Sequence, residues 1–305
     1  MLLLAIAAPS VADVLDTPTP TPAATGTIQG MQYAKYGSGQ PALVLVPGLG
    51  AGIWTWRDTI ARESRHHTVY AVTLPGFDGL PLVTNAGIDL ADADLLALIT
   101  GEKLDRPVLI GHSLGGFLAL RFATEHANLL RGDVSVDGPP VFIPLATASA
   151  EERKTYGERF SATILAQTQE SFESGVARYV RDYVTDPALA ARVTTLTERS
   201  DRTAIALYSK ELFSRDLRPE LSKLTVSTLV VAPVPGIPLP TFLPAEMAQM
   251  SLDQRRAATV SLYQSLMTGA PHVQVVPIDN ARHFAMLDQP DAFANAIDAF
   301  IQTLQ

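Results

Sequence analysis

The stretch Gly111-His112-Ser113-Leu114-Gly115 constrains this chain more than any other. It follows a short apolar run, Pro107-Val108-Leu109-Ile110, and opens into a helix-like segment, Phe117 to Ala127. A serine with glycines two residues to either side fits a sharp strand-to-helix turn, because glycine removes the Cβ atoms that would block the neighbouring chain. Such an elbow lifts the Ser113 hydroxyl clear of a sheet. It also aims the N–H of Leu114, with the helix N-terminus behind it, at the place where negative charge develops when the hydroxyl attacks a carbonyl. The plainer reading is a glycine-rich turn with an idle serine. A strand before and a helix after favour the chemical one.

A serine hydroxyl is a weak nucleophile at neutral pH, so the elbow predicts a histidine base downstream and an acid to orient it. Of the six histidines, His283 follows the β-rich run His272 to Ile278 and precedes a helix with apolar positions Phe293, Ile297, Phe300 and Ile301. That places it on a loop at the carboxyl end of a strand, where open α/β sheets gather their ligands. The others read as structural: His66 and His67 lead into a strand, His126 is on a helix, His272 starts a strand and His112 is the spacer of the elbow. A third element is a turn supplying another oxyanion donor. The strand Ala42 to Val46 and the turn Pro47-Gly48-Leu49-Gly50 provide it, with Leu49 N–H as partner to Leu114 N–H. Alone, that segment reads equally well as an ordinary strand-to-helix turn.

Strand, glycine-rich loop, elbow serine and late histidine, in that order, resemble the α/β-hydrolase superfamily over roughly Thr27 to Gln305. Thr73-Leu74-Pro75-Gly76-Phe77 is similar to the family's Asp-Leu-Pro-Gly-Phe turn, and Arg282-His283-Phe284 to Pro290 is similar to its Gly-His-Phe-x-x-x-x-x-Pro ending. The chain has Pro47-Gly48 where members often have His-Gly. Because the oxyanion donor is a main-chain N–H, that exchange leaves the function possible. The resemblance places the triad acid after strand seven, but the strand Val226 to Val231 runs into Ala232 to Pro240 without a carboxylate. Some members carry the acid after strand six. Asp137 ends that strand here, beside the strand of the elbow, and is taken as the acid; its plainer role is a turn-forming Asp-Gly. The rivals are Asp279, which reads as a cap of its own loop, and Glu246 and Asp253, which sit where a helix begins.

The resemblance implies a mostly parallel, doubly wound α/β sheet with a helical lid between strands six and seven. The expected organisation is a signal peptide over 1–12, a Pro/Thr-rich tether over 13–26 that does not pack, a core of 27–138 and 219–305, and a lid over 139–218. An early hairpin is expected across Ile28 to Tyr36 and Ser38-Gly39-Gln40. Phe142 and Phe160 are candidates to face an apolar substrate from the lid, though packing lid against body is the plainer role for either. Trp54 and Trp56 lie near the oxyanion loop, one a candidate pocket wall and the other core.

The expected activity is a serine hydrolase acting on a carboxylic ester, lactone or thioester of a small, rather apolar substrate. The alternatives are a ligand-binding protein that kept the fold without turnover, and a lyase or C–C hydrolase on the same triad. Ser113 argues against the dehalogenases and epoxide hydrolases of the superfamily, which use an aspartate. A net charge of −8 disfavours nucleic acid and anionic membrane partners. With no cysteine, no phosphate-cradling G-x-x-x-x-G-K and no histidine pair at helical spacing, neither cofactor nor metal is expected. The apolar run Leu2 to Ala8 before Ser10-Val11-Ala12 is too short to span a bilayer and points to a periplasmic or secreted protein, while the missing basic residues ahead of it keep a cytoplasmic alternative open.

Overall fold

The computed structural model describes residues 15–241 and 243–304. The expected signal peptide, 1–12, lies outside the described residues. Strand β3 (Leu43–Val46) shows why the centre of the molecule is a sheet covered on both sides: all four of its residues are apolar and fully buried. A strand with no polar face needs helices above and below it, which parallel βαβ connections supply. Val44 and Val46 point into one core layer and Leu43 and Leu45 into the other.

Around β3 the sheet has eight strands in the order β1-β2-β4-β3-β5-β6-β7-β8. These are β1 (Ala24–Ile28), β2 (Met31–Tyr36), β4 (Val69–Thr73), β5 (Val108–His112), β6 (Gly132–Val136), β7 (Thr228–Val234) and β8 (Val273–Asp279). Strands β1 and β2 are antiparallel to their neighbours, and the pairs from β4 through β8 are parallel. Helices α2 (Ile88–Gly101), α3 (Leu114–Glu125) and α8 (Leu252–Leu266) contribute to one core layer, and α1 (Arg57–Glu63) and α10 (Pro290–Thr303) to the other. After β3 the connections run first to β4 on one side and then to β5 on the other. The carboxyl ends of β3 and β5 therefore flank a topological switch point, where an open sheet leaves a crevice.

Between β6 and β7 the chain leaves the sheet and returns through one neck, where Val141 bridges Asp216 and Leu217 N–H donates to Pro140 O at 2.8 Å. The excursion holds α4 (Ala150–Ala166), α5 (Gln169–Tyr183), α6 (Pro187–Thr197) and α7 (Arg202–Ser214). Their starts are written in the sequence: Ser149 forms a capping box with Glu152, and Thr168, Asp186 and Asp201 each accept from a main-chain N–H of the first turn. Helix α4 packs along α7, and α5 along α6.

Two expectations need correction. The early hairpin turns at Gln29-Gly30, both with positive φ (46° and 101°), as a tight two-residue turn between antiparallel strands requires. Ser38-Gly39-Gln40 lies beyond it, where Gly39 exchanges hydrogen bonds with Thr68. Nor are residues 15–26 of the expected 13–26 tether free; 13 and 14 lie outside the described residues. Leu15 is 2% exposed within the α1/α10 core layer, Asp16 pairs with Arg192 at 2.6 Å, and Ala24 to Gly26 belong to β1. One apolar side chain and an open edge on β2 suffice to hold the segment.

Candidate active site

The elbow forms at the end of β5. Ser113 has φ 54° and ψ −116°, a strained conformation for a residue with a side chain, and α3 starts at the next position. The two flanking glycines are needed for different reasons. A Cβ on Gly111 would lie 1.9 Å from the Gly115 carbonyl oxygen, and a Cβ on Gly115 would lie 2.2 Å from the carbonyl oxygen of Val46 in β3. The first closes the turn; the second lets α3 approach the loop after β3. Main-chain bonds hold the serine in place: its N–H donates to Val136 O of β6, and its carbonyl accepts from Phe117 N–H, both at 2.9 Å.

The N–H groups of Leu49 and Leu114 stand on the two walls of this junction and donate to no other group among the described residues. Leu114 is fully buried, while Leu49 packs its side chain on the α2/α3 core layer. Each N–H is thus held by an anchored side chain and left free to receive an external oxygen.

Asp137 follows β6 directly, with φ 48°, and its N–H donates to Val231 O of β7 at 3.0 Å. That left-handed turn carries its carboxylate to the next strand but one, where His283 sits on the loop after β8. His283 Nδ1–H donates to Asp137 Oδ2 at 2.5 Å, with the imidazole 10% and the carboxylate 19% exposed. Donation from Nδ1 leaves Nε2 with a bare lone pair, the state a general base needs. The rivals for the acid are elsewhere. Glu246 is on an exposed turn, Asp253 lies in the first turn of α8 with its side chain 85% exposed, and Asp279 pairs with Arg256 of α8 at 2.5 Å.

Several side chains hold this arrangement that composition and spacing do not reveal. The second oxygen of Asp137, Oδ1, accepts a hydrogen bond from the Tyr263 hydroxyl of α8. His112 Nε2–H donates to the His283 carbonyl oxygen at 2.9 Å, so the residue before the serine is tied to the loop of the histidine. Complete burial depresses the His112 pKa well below the usual imidazole range, and the neighbouring His283 adds to this; it stays neutral. Arg282 donates to the carbonyls of Arg181, Val184 and Pro238. Asp288, in the short helix α9 (Ala285–Asp288), accepts from the N–H of Thr185 and of Arg282 and from the Thr185 hydroxyl. These bonds join the histidine loop to the end of α5. Tyr183 of α5 meets the His283 ring edge-on at 4.7 Å between centroids.

A cavity of about 450 Å³ opens beside the Asp137–His283 pair. Its walls are Ile143 and Tyr183 from the excursion, Leu243 and Met247 from the loop after β7, and Leu262 and Tyr263 from α8, with Arg282 and Asp182 supplying charge. Phe142 and Phe160 are not among them. They pack on Phe213 of α7 at 4.4 and 4.9 Å, within the excursion itself. Trp54 stacks on Phe284, next to His283, and Trp56 is fully buried against Phe293 of α10.

For a metal ion, one group of three side chains is available among the described residues: Asp92, Glu125 and His126 each bring one ligand atom within 4.8 Å of the others. They lie at the far end of α3 from Ser113, and Arg121 already occupies Glu125 at 3.2 Å. No helix of the described residues is long and apolar enough to cross a membrane.

The sequence profile of the Alpha/beta hydrolase family matches residues 43–296. The chain belongs to that family. N-formylmaleamate deformylase of Pseudomonas putida is 26% identical over 88% of the chain and 91% of its own length. A pimeloyl-[acyl-carrier protein] methyl ester esterase of Proteus mirabilis is 34% identical, over 37% of the chain and 42% of that protein. Among solved structures, the enol-lactonase of Burkholderia xenovorans superposes with a TM-score of 0.71 at 18% identity, over 92% of the chain and all of that structure. An esterase of Thermogutta terrifontis gives 0.72 at 18% identity, over 92% and 99%. At that identity the two structures speak for the fold, and the relatives in sequence are hydrolases. The α/β-hydrolase described here is therefore a hydrolase by family.

Proposed function

We propose that this hydrolase cleaves a carboxylic ester, lactone or thioester of a small, rather apolar substrate through an acyl-enzyme on Ser113. The observation that carries the reading is the 2.5 Å bond from His283 Nδ1–H to Asp137, which leaves Nε2 as the proton acceptor. As Ser113 Oγ bonds to the acyl carbon, its proton passes to His283 Nε2, and the oxyanion rests on the N–H groups of Leu49 and Leu114. Collapse breaks the bond to the leaving oxygen or sulfur, which takes the proton from Nε2. Water then attacks the acyl carbon, gives a proton to Nε2 and releases the acid, and the proton returns to Ser113 Oγ.

The apolar walls of the 450 Å³ cavity support a hydrocarbon-rich substrate. The excursion between β6 and β7, fastened to the histidine loop through Arg282 and Asp288, acts in this reading as a lid over the serine. The ester chemistry named for the Proteus protein lends the substrate class further support.

The test compares the wild type with Ser113→Ala, using a fluorophosphonate probe and p-nitrophenyl esters of increasing acyl length. The expected result is covalent labelling and hydrolysis by the wild type alone. Equal labelling of both proteins, or no turnover by either on esters, lactones and thioesters, would sink the proposal.

A further inference from the structure

Asp137 uses both oxygens: Oδ2 for His283 and Oδ1 for the hydroxyl of Tyr263. We propose that Tyr263 is a positioning residue that holds the Asp137 carboxylate against His283 and tempers its charge, an inference that rests on the catalytic reading of Ser113, His283 and Asp137.

The loop after β7, 235–240, carries no carboxylate, so the acid has to reach His283 from the neighbouring strand β6. A carboxylate at the tip of a left-handed turn can still rotate about its last bond. Fixing one oxygen from the side opposite the imidazole removes that freedom. Tyr263 is suited to the task because its own helix is firmly mounted. Helix α8 starts with a capping box of Ser251 and Gln254, and Arg255, itself 5% exposed, donates to Pro235 O and Met250 O. Arg256 ties the same helix to Asp279 at the end of β8. The Tyr263 ring is 3% exposed, and burial, with the carboxylate beside it, pushes the phenol well above its ordinary pKa. The hydroxyl therefore remains a donor through the neutral pH range.

Electrostatics add a sign. A carboxylate beside an imidazole stabilises the imidazolium, and a donor on the other oxygen withdraws part of that charge. Losing the donor should make His283 more basic. The other groups that face this pair are Tyr183 and Tyr179 from α5, His112 from β5, and Arg282 and Asp182 at the cavity. None of them changes in Tyr263→Phe, which keeps the ring and removes one oxygen.

The experiment has two readouts on the full chain. In the first, the imidazole of His283 is titrated by NMR in the wild type and in Tyr263→Phe, with His283→Gln to assign the resonance; the midpoint should move up by about half a pH unit. In the second, kcat/KM on a p-nitrophenyl ester should fall about 10- to 30-fold through kcat with KM little altered, and its acid limb should move to higher pH. In an Asp137→Asn background the same change should have little further effect, since the carboxylate it acts through is gone. An unmoved His283 midpoint would overturn the role of Tyr263 whether or not the protein turns over an ester. Absent hydrolysis with a shifted midpoint would instead reject the catalytic reading and leave the Tyr263–Asp137 coupling standing. Full additivity with Asp137→Asn would likewise mark Tyr263 as mere packing.

Discussion

Gly115→Ala adds one methyl group at the narrowest point between the elbow helix and the loop after β3. The new Cβ would meet Val46 O at 2.2 Å and Pro47 O at 2.6 Å, whereas ordinary van der Waals contact begins at 3.4 Å. Both obstacles are backbone, so no side chain can swing away. The start of α3 and the Pro47-Gly48-Leu49 turn must part by roughly 1 Å, a misplacement that typically costs about 100-fold in rate. Leu114 N–H rides on one side of that gap and Leu49 N–H on the other. A separation of this size takes one donor out of reach of a shared oxyanion. The expected fall in kcat/KM is about 100-fold, equivalent to about 2.7 kcal/mol of transition-state stabilisation, with KM little altered. Steady-state hydrolysis of p-nitrophenyl butyrate measures this, and urea unfolding shows that the variant is folded. Gly175→Ala in α5, where an added Cβ has nothing within 4 Å, is the matched control. A folded Gly115→Ala protein with kcat/KM within threefold of the wild type would refute the argument that these two walls hold the oxyanion site.

Gly175→Ala should itself raise stability by about 0.5–1 kcal/mol, because it removes chain entropy from the unfolded state at a position with open space; the midpoint of thermal unfolding reads it. Asp94 in α2 is fully buried with neither oxygen bonded, and burial lifts its pKa to about 6. Its carboxyl is neutral in both states below about pH 4, and the folded state is penalised as pH rises from there to 6, by up to about 3 kcal/mol. Asp94→Asn should therefore be near neutral at pH 4 and increasingly stabilising by pH 7; an equal effect at both in urea unfolding would reject this account. Asp288→Ala leaves two main-chain N–H groups without their acceptor and should cost about 2–4 kcal/mol, together with a loss of activity as the histidine loop loosens.

The parts of the candidate site carried by local geometry are legible in the sequence. Glycine spacing around Ser113 encodes a close backbone approach, and the order of strand, turn and helix identifies its direction. Asp137 follows from the resemblance, since some members of the family carry the acid after strand six, and the structure sets that residue beside His283. Tyr263 does not follow from it. It lies 126 residues from Asp137 and is one of eight tyrosines, so no spacing marks it. His112 and Arg282 do flank the two key residues in sequence, and a polar side chain beside each is the available signal. Phe142 and Phe160 take the packing role, though on Phe213 within the excursion rather than against the body, and the turn of the hairpin is hidden from the sequence because Gln29 takes a left-handed conformation usually left to glycine or asparagine.

The neck at Val141–Asp216 has an evolutionary corollary. Since the polypeptide departs and re-enters at a single point, residues 141–216 form a cassette that can be exchanged or lengthened while the register of all eight strands stays as it is. The contacts that fasten it to the body have to be rebuilt each time, among them those of the α5 terminus with Arg282 and Asp288, of Ser200 with Gly50 and Asp78, and of Arg215 with Asp89. Divergent descendants of this scaffold should accordingly vary most in that cassette and in the matching surface around positions 282 and 288.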